Sequence, residues 1–375
     1  MEPYMKKRRF KWLMFAFICV IVGTVQGVQQ YEVIGLRGIS GADDPYPIAI
    51  NNQGEVVGRD DSYYPSSAFL INQESAYVNL TPNNTLYAQA RAINNQGVIG
   101  GQYDYYATVF DPTGNGNNTQ ICDLHSNILG MNDCDSAAGF VGINNEYLGA
   151  SFNVSGVNDY TILGGIQQCQ HAFARSINNN NQIVGIGYNG GYVEESQDNY
   201  AILFDPTGNG NNLHLGGVYG TYGSAWDIND SGIIVGESHV LEEDPLMRAT
   251  IFGVNPEDTI DLGTTIDGIE HGHSAAMAIN CSNQIVGAIG DGGSARFATL
   301  FDSTGQGNNI DLNTLIDTES GWQLLTAYDI NDDGWIIGHG EFEGIVQGYL
   351  LKPVPEPATL SLLLLGVVLT RRAQK

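Results

Sequence analysis

The stretch Ile228-Asn229-Asp230-Ser231-Gly232-Ile233-Ile234-Val235-Gly236 is a short strand end, a polar turn and a β-branched strand in nine residues. Asn, Asp and Gly tolerate the positive φ of a tight hairpin, and Ile and Val fit the pleated strand that follows. The same pattern, Ala-x-x-Ile-Asn-Asn-x-Gly-x-Val-Val-Gly, recurs with its isoleucine at Ile50, Ile93, Ile143, Ile177, Ile228, Ile279 and Ile330, at intervals of 43, 50, 34, 51, 51 and 51 residues. The copy at Ile143 is degraded, reading Ile143-Asn144-Asn145-Glu146-Tyr147-Leu148-Gly149. Asparagines at fixed offsets in such a pattern are turn chemistry rather than catalytic groups.

Working outward, each hairpin is followed by a third strand, as in Ala107-Thr108-Val109-Phe110, Ala201-Ile202-Leu203-Phe204 and Ala298-Thr299-Leu300-Phe301. In three copies this strand runs into a Gly-rich turn starting at Asp111, Asp205 or Asp302, and a fourth strand such as Ile260-Asp261-Leu262-Gly263 completes the unit. Four antiparallel strands per repeat, and no sustained 3.6-residue period, predict an all-β fold: a seven-bladed β-propeller of four-stranded antiparallel blades. A β-solenoid is the alternative. The ends favour the closed ring, because Tyr31-Glu32-Val33-Ile34-Gly35-Leu36 reads as a fourth strand and Gly348-Tyr349-Leu350-Leu351 as a third. Residues 31–352 hold 322 positions, about 46 per repeat over seven repeats, a normal blade length.

Three segments follow: 1–27, 28–353 and 354–375. The first has Lys6, Lys7, Arg8, Arg9 and Lys11 ahead of the apolar run Trp12–Val25 and a small-residue exit at Gly27, the pattern of a secretory signal peptide. The last reads Val354-Pro355-Glu356-Pro357-Ala358-Thr359, an apolar stretch from Leu360 to Leu369, then Arg371-Arg372. That tail is too short to span a bilayer comfortably and resembles the PEP-CTERM sorting signal, matching it at Pro355, Glu356, Pro357, Arg371 and Arg372. The resemblance implies processing by an exosortase and delivery across the inner membrane to the cell surface or extracellular matrix, with membrane contact confined to the two ends. The repeats, for their part, resemble the HAF-type extracellular repeat over nearly all of residues 28–353, although His171-Ala172-Phe173 precedes a hairpin and is not a match to its signature. That family implies an extracellular repeat protein with no assigned chemistry.

Between residues 28 and 353 seven basic residues face 39 acidic ones. A net charge near −32 repels phosphate backbones and anionic headgroups, which argues against nucleic-acid and membrane-surface partners and leaves cations, basic proteins and glycans. By strand parity, the Asn-x-Gly turns and the Asp-Pro-Thr-Gly turns share one rim, and the longer, more varied loops share the other. The long-loop rim carries Tyr63, Tyr64, Tyr105, Tyr106, Tyr192 and Trp322 among carboxylates, residue types that stack on sugar rings and accept hydroxyl hydrogen bonds. The expectation is a non-catalytic module that binds extracellular polysaccharide or other surface proteins. The alternatives are a structural matrix component without a defined ligand and a polysaccharide lyase or hydrolase on a propeller scaffold; nothing marks one carboxylate out as a catalytic acid.

Calcium is the candidate ion. Asp111 and Asn115, Asp205 and Asn209, and Asp302 place oxygens as at the start of a calcium loop, but the twelfth position holds Cys122, Gly216 or Asn313 instead of the bidentate glutamate. His271 and His273 beside Glu270 are ligand types for a transition metal. Four cysteines remain in a compartment that permits disulfides, and Cys122 with Cys134 is the first candidate pair by proximity.

Overall fold

In the computed structural model the described residues are 29–36, 45–60, 65–74, 76–82, 86–190, 199–218, 220–241, 244–291 and 296–355. They form seven four-stranded antiparallel sheets arranged as a β-propeller. Blade 1 consists of Pro45–Ile50, Val56–Asp60, Ser67–Ile71 and Tyr77–Asn79. Blade 2 is Ala88–Ile93, Ile99–Tyr103, Tyr106–Phe110 and Thr119–Gln120; blade 3 is Ser126–Met131, Ser136–Ile143, Glu146–Asn153 and Tyr160–Gly164. Blade 4 comprises His171–Ile177, Ile183–Tyr188, Asn199–Phe204 and Leu213–His214. Blade 5 runs through Gly223–Ile228, Ile234–Leu241, Asp244–Phe252 and Ile260–Gly263, and blade 6 through His273–Ile279, Ile285–Gly290, Arg296–Phe301 and Ile310–Asp311.

Blade 7 takes three strands from the C-terminal end, Trp322–Ile330, Ile336–Phe342 and Ile345–Pro353, and its fourth, Tyr31–Gly35, from the N-terminal end. That pairing runs from Tyr31 opposite Pro353 to Gly35 opposite Tyr349, as the terminal strands predicted. The ring is thereby closed by backbone hydrogen bonds between the two ends of the repeat array, with Tyr31–Gly35 as the outer strand of blade 7.

The core is divided among the interfaces between blades, with one apolar cluster at six of them and two between blades 3 and 4. Blades 2 and 3 meet through Ala107, Ile121, Ile128 and Phe152; blades 7 and 1 meet through Leu36, Ile50, Phe69 and Ile337. The alanine that opens the third strand is fully buried at Ala68, Ala107, Ala150, Ala201, Ala249 and Ala298, because the neighbouring blade leaves room for one methyl. Each blade thus buries both faces against its neighbours and cannot be stable alone.

One repeat is placed differently from its sequence reading. Ile143 ends the second strand of blade 3, and Asn144-Asn145 turns into the third strand with positive φ at both residues. The true third copy is Met131-Asn132-Asp133-Cys134-Asp135, with methionine for isoleucine and Asp135 at φ 58° where the other copies carry glycine or asparagine. The isoleucine-equivalent positions are therefore Ile50, Ile93, Met131, Ile177, Ile228, Ile279 and Ile330.

Candidate functional site

The asparagine after each of those positions does two jobs. Its Oδ1 accepts from the main chain two and four residues on, fixing the turn: Asn229 takes Ser231 N at 3.1 Å and Ile233 N at 3.0 Å. Its Nδ2 donates to the carbonyl of the equivalent asparagine in the next blade. The links run from Asn51 to Asn94, Asn132, Asn178, Asn229, Asn280 and Asn331, and from Asn331 back to Asn51, at 2.9–3.2 Å. A closed circuit of seven side chains therefore circles the mouth of the central channel on the short-turn rim.

A second circuit lies outside it. The main-chain N of Asn52, Asn95, Asp133 and Asn179 each donates to the side-chain oxygen at the same position of the next blade, at 2.8 Å. Cys281 N and Asp332 N continue it at 2.9 Å. Among the described residues one link is missing, from Asp230 to blade 6, where Cys281 has no oxygen to offer.

Below these circuits each innermost strand carries a β-bulge at one shared position. The register skips Ile48, Arg91, Leu129, Arg175, Trp226, Met277 and Tyr328 in blades 1 to 7. The bulge drives a carbonyl toward the second strand, where only glycine fits. A Cβ on Gly58, Gly101, Gly139, Gly185, Gly236, Gly287 or Gly338 would collide with the carbonyl oxygen of Tyr46, Gln89, Asn127, Phe173, Ser224, Ala275 or Thr326. This is why the second strand of every repeat carries a glycine at this position.

The bulged side chains and the residues after them line a central cavity of about 480 Å³ whose upper wall is the asparagine circuit. Arg175 lies over the Trp226 ring at 4.9 Å and the Phe173 ring at 5.7 Å. Arg59 lies over Tyr46 at 4.8 Å, and Tyr46 packs against Tyr328 at 5.2 Å and edge-on to His339 at 4.2 Å.

Five aspartates line the cavity: Asp133, Asp230 and Asp332 on the outer circuit, and Asp227 and Asp329 beneath the asparagine circuit. Asp329 accepts from Ile50 N at 2.9 Å and its neighbour Ile330 N at 2.8 Å, tying blade 7 to blade 1. Asp227 likewise accepts from Ile279 N at 2.9 Å, Ile228 N at 2.8 Å and Ser176 Oγ at 2.7 Å. Although both are in contact with the cavity, protein surrounds them. Burial raises the Asp227 pKa, and burial together with the nearby charge of Asp227 pushes Asp329 up to about 7. Arg175 is pulled the other way, down to about 10, by burial and then by the repulsion of Arg91.

Those of the residues singled out in sequence that are described lie elsewhere. Tyr105 is 65 % exposed at the tip of a two-residue turn and meets His125 edge-on at 5.4 Å; Tyr106 is half-buried at the start of the following strand. Trp322 opens the innermost strand of blade 7. It is half-buried, packed on Phe342 at 5.3 Å and Tyr349 at 6.2 Å, and fills the core between blades 6 and 7. Tyr63, Tyr64 and Tyr192, the 1–27 segment, and Glu356, Pro357, Arg371 and Arg372 lie outside the described residues, which end at Pro355.

In the Asp-Pro-Thr-Gly turns the carboxylate is saturated from within: Asp205 accepts from Thr207 N and Oγ1 and from Asn211 N and Nδ2 at 2.6–3.2 Å. Asp111 and Asp302 repeat the arrangement, and Asn115 and Asn209 turn their amides back to the threonine hydroxyl. Those donors hold Asp205 and Asp302 down at about 2. His271 pairs with Asp291 at 3.1 Å, whereas His273 Nδ1 accepts from Met247 N at 3.3 Å, so the two imidazoles serve different partners. Among the described residues no three His, Cys, Asp or Glu side chains converge as a metal site. Cys122 and Cys134 are not brought together: both are free thiols, Cys122 in the core between blades 2 and 3 and Cys134 exposed on the turn of blade 3.

The channel residues went unnoticed in the sequence because they occupy the variable positions of Ala-x-x-Ile. Variation inside an otherwise constant motif was the signal available.

No family model matches the chain, and no curated protein does. Among solved structures it is similar to an oligogalacturonate lyase from Vibrio parahaemolyticus, at 13 % identity over 88 % of this chain and 98 % of that one, TM-score 0.53. It is also similar to an oligogalacturonate lyase in complex with manganese, at 12 % identity over the same shares, TM-score 0.55. A TolB from Acinetobacter baumannii aligns at 11 % identity over 75 % of this chain and 56 % of that one, TM-score 0.37. The likeness to the two lyases is one of fold alone, a shared propeller scaffold, and the chain is a seven-bladed β-propeller protein.

Proposed function

We propose that the protein is an exported, non-catalytic binding propeller of the cell surface or extracellular matrix that takes a saccharide into the mouth of its central channel. The observation that carries this reading is the cavity of about 480 Å³ lined by Trp226, Tyr328, Arg91 and Arg175 beneath a ring of side-chain amides. Aromatic faces, guanidinium forks and amides at a concave mouth are the groups that hold sugar rings and their hydroxyls. Export is supported by the basic and apolar run before Gly27 and by the tail after Val354, with an exosortase as the processing partner.

Against catalysis stands the use made of the two aspartates beneath the asparagine circuit. Asp227 and Asp329 have both carboxyl oxygens engaged by main-chain N–H groups, which suits a clamp between blades better than a proton shuttle. The test is a glycan array on the purified protein with Trp226→Ala and Tyr328→Ala beside the wild type, together with fractionation of cells carrying a tagged copy. Saturable binding lost in both variants, and recovery of the tag outside the inner membrane, are expected. Binding unchanged in both variants would overturn the channel assignment, and a tag retained in the cytoplasm would overturn export.

A further inference from the structure

Arg91 and Arg175 stand out among the channel residues. Only seven basic residues occur between 28 and 353 in a chain of formal charge −26, and two of them reach this cavity. Among the described residues neither has a carboxylate within ion-pair distance, whereas Arg248 lies 3.9 Å from Asp261 and 3.7 Å from Glu270. The Nε atoms of Arg91 and Arg175, like that of Arg248, are buried without a hydrogen-bond partner, so the missing carboxylate is what sets the two apart. Burial lowers both pKa values, and Arg59 adds its repulsion to Arg91. Enclosing cations without counter-charges is destabilising.

The fold does not require arginine there. The same bulge position is filled by Ile48, Leu129 and Met277 in blades 1, 3 and 6, so the frame accepts an aliphatic side chain. Two positive charges placed where the scaffold is content with hydrocarbon point to something that arrives from solution with the opposite sign. We infer that the channel mouth holds a subsite for a singly charged carboxylate on a sugar, an acidic saccharide unit, with Arg91 and Arg175 as its cationic wall. The inference rests on the saccharide reading above and specifies the ligand class.

A planar carboxylate matches the guanidinium fork. A doubly charged phosphate or a densely sulfated chain fits less well, because Asp133, Asp227, Asp230, Asp329 and Asp332 line the same cavity and repel a dianion more than a monoanion. Trp226, held in place under Arg175 at 4.9 Å, and Tyr328 supply ring faces across the cavity from blades 5 and 7.

The experiment is calorimetric titration of the full chain at low salt with a trisaccharide of uronic acid units, its methyl ester, a neutral trisaccharide and a sugar phosphate. Arg91→Met, Arg175→Met and the double variant run alongside, with methionine chosen because Met277 already occupies the equivalent position. The expected result is at least tenfold tighter binding of the acid than of the ester, a loss of tenfold or more in each single variant, and unchanged ester binding. The variants should melt no lower than the wild type. Equal affinity for acid and ester, or full affinity in the double variant, would overturn the carboxylate subsite while leaving saccharide binding in place. Tighter binding of the sugar phosphate than of the acid would overturn it in favour of a phosphate. Binding of none of the four probes would overturn the subsite, and the array above then decides separately whether the saccharide reading stands.

Discussion

Asn331 donates its side-chain amide to the main-chain oxygen of Asn51 at 3.0 Å, across 280 positions of sequence. The same side chain caps its own turn, accepting from Trp335 N at 2.8 Å. Asn331→Asp keeps the acceptor and removes the donor, so it isolates the link between blades from the cap. Leaving a buried carbonyl unsatisfied opposite a carboxylate should cost about 1–3 kcal/mol, read as a lower denaturant midpoint. Asn178→Asp, far from the seam, should cost about as much, because the circuit has no weak end.

Cys281 interrupts the outer circuit, with its thiol 4.0 Å from Asp230 Oδ2. Cys281→Asn supplies the oxygen that Asp230 N lacks, in the pattern that Asp133 N and Asn179 Oδ1 already use. One restored hydrogen bond should add about 0.5–1.5 kcal/mol, a rise of roughly one or two degrees in Tm for a domain of this size.

The bulge makes a sharp contrast between two glycines. Gly185→Ala places a methyl against the Phe173 carbonyl, which is fixed in the ladder, and should destabilise by about 3 kcal/mol or more, in the range of severe overpacking. Gly220→Ala meets nothing within 4 Å and should melt within about a degree of the wild type. Comparable losses in both would show that the bulge imposes no special requirement.

Asp329 has a folded-state pKa of about 7 against an ordinary 3.8, so ionisation costs stability. Between those values the unfolded chain gives up its proton first, and stability falls as the pH rises, levelling off above about 7. Asp329→Asn has no such dependence but turns one amide N–H toward a main-chain donor. The stability advantage of the wild type over Asp329→Asn should therefore shrink as the pH is raised from 4 to 8, in paired denaturation curves. A gap that stays constant or widens would contradict the raised pKa.

Thiol labelling in the native state should follow exposure. Cys134 is exposed and should react first. Cys281 is also exposed, but burial of its thiol and the neighbouring Asp332 push its pKa to about 11, so it should lag at pH 8. Cys169, pushed to about 12 by burial, should follow slowly, and Cys122, fully buried, should react only on unfolding. Fast reaction of Cys122 would contradict its place in the core.

The fold was legible because its information is local and repeated: turn residues at fixed offsets, β-branched strands, and a terminal strand missing at one end and spare at the other. The third repeat was misread for a local reason too. Asn144-Asn145 has better turn chemistry than the true turn, where Met131 and Asp135 replace the usual isoleucine and glycine, and only the ladder register distinguishes them. The candidate site was hidden by a property that no single repeat reveals. Arg91, Arg175, Trp226 and Tyr328 are 51 to 237 residues from one another in sequence, and they meet because a bulge turns one variable position of each blade toward a common axis. Trp322 looked like a rim aromatic for the opposite reason: its flanking Gly321 and Ser320 read as loop, while its ring is spent on packing.

The asparagine circuit has a consequence for how such a chain can change its length. Every blade contributes one amide donor and one carbonyl acceptor to it, so the tally balances whatever the number of blades. Duplication or loss of a whole repeat would leave no orphaned group at the new junction and would change only the width of the opening. Seven is then set by the wedge angle between packed blades, with their buried alanines, and the mouth's diameter is a quantity that recombination can alter in whole steps while each turn remains as it is.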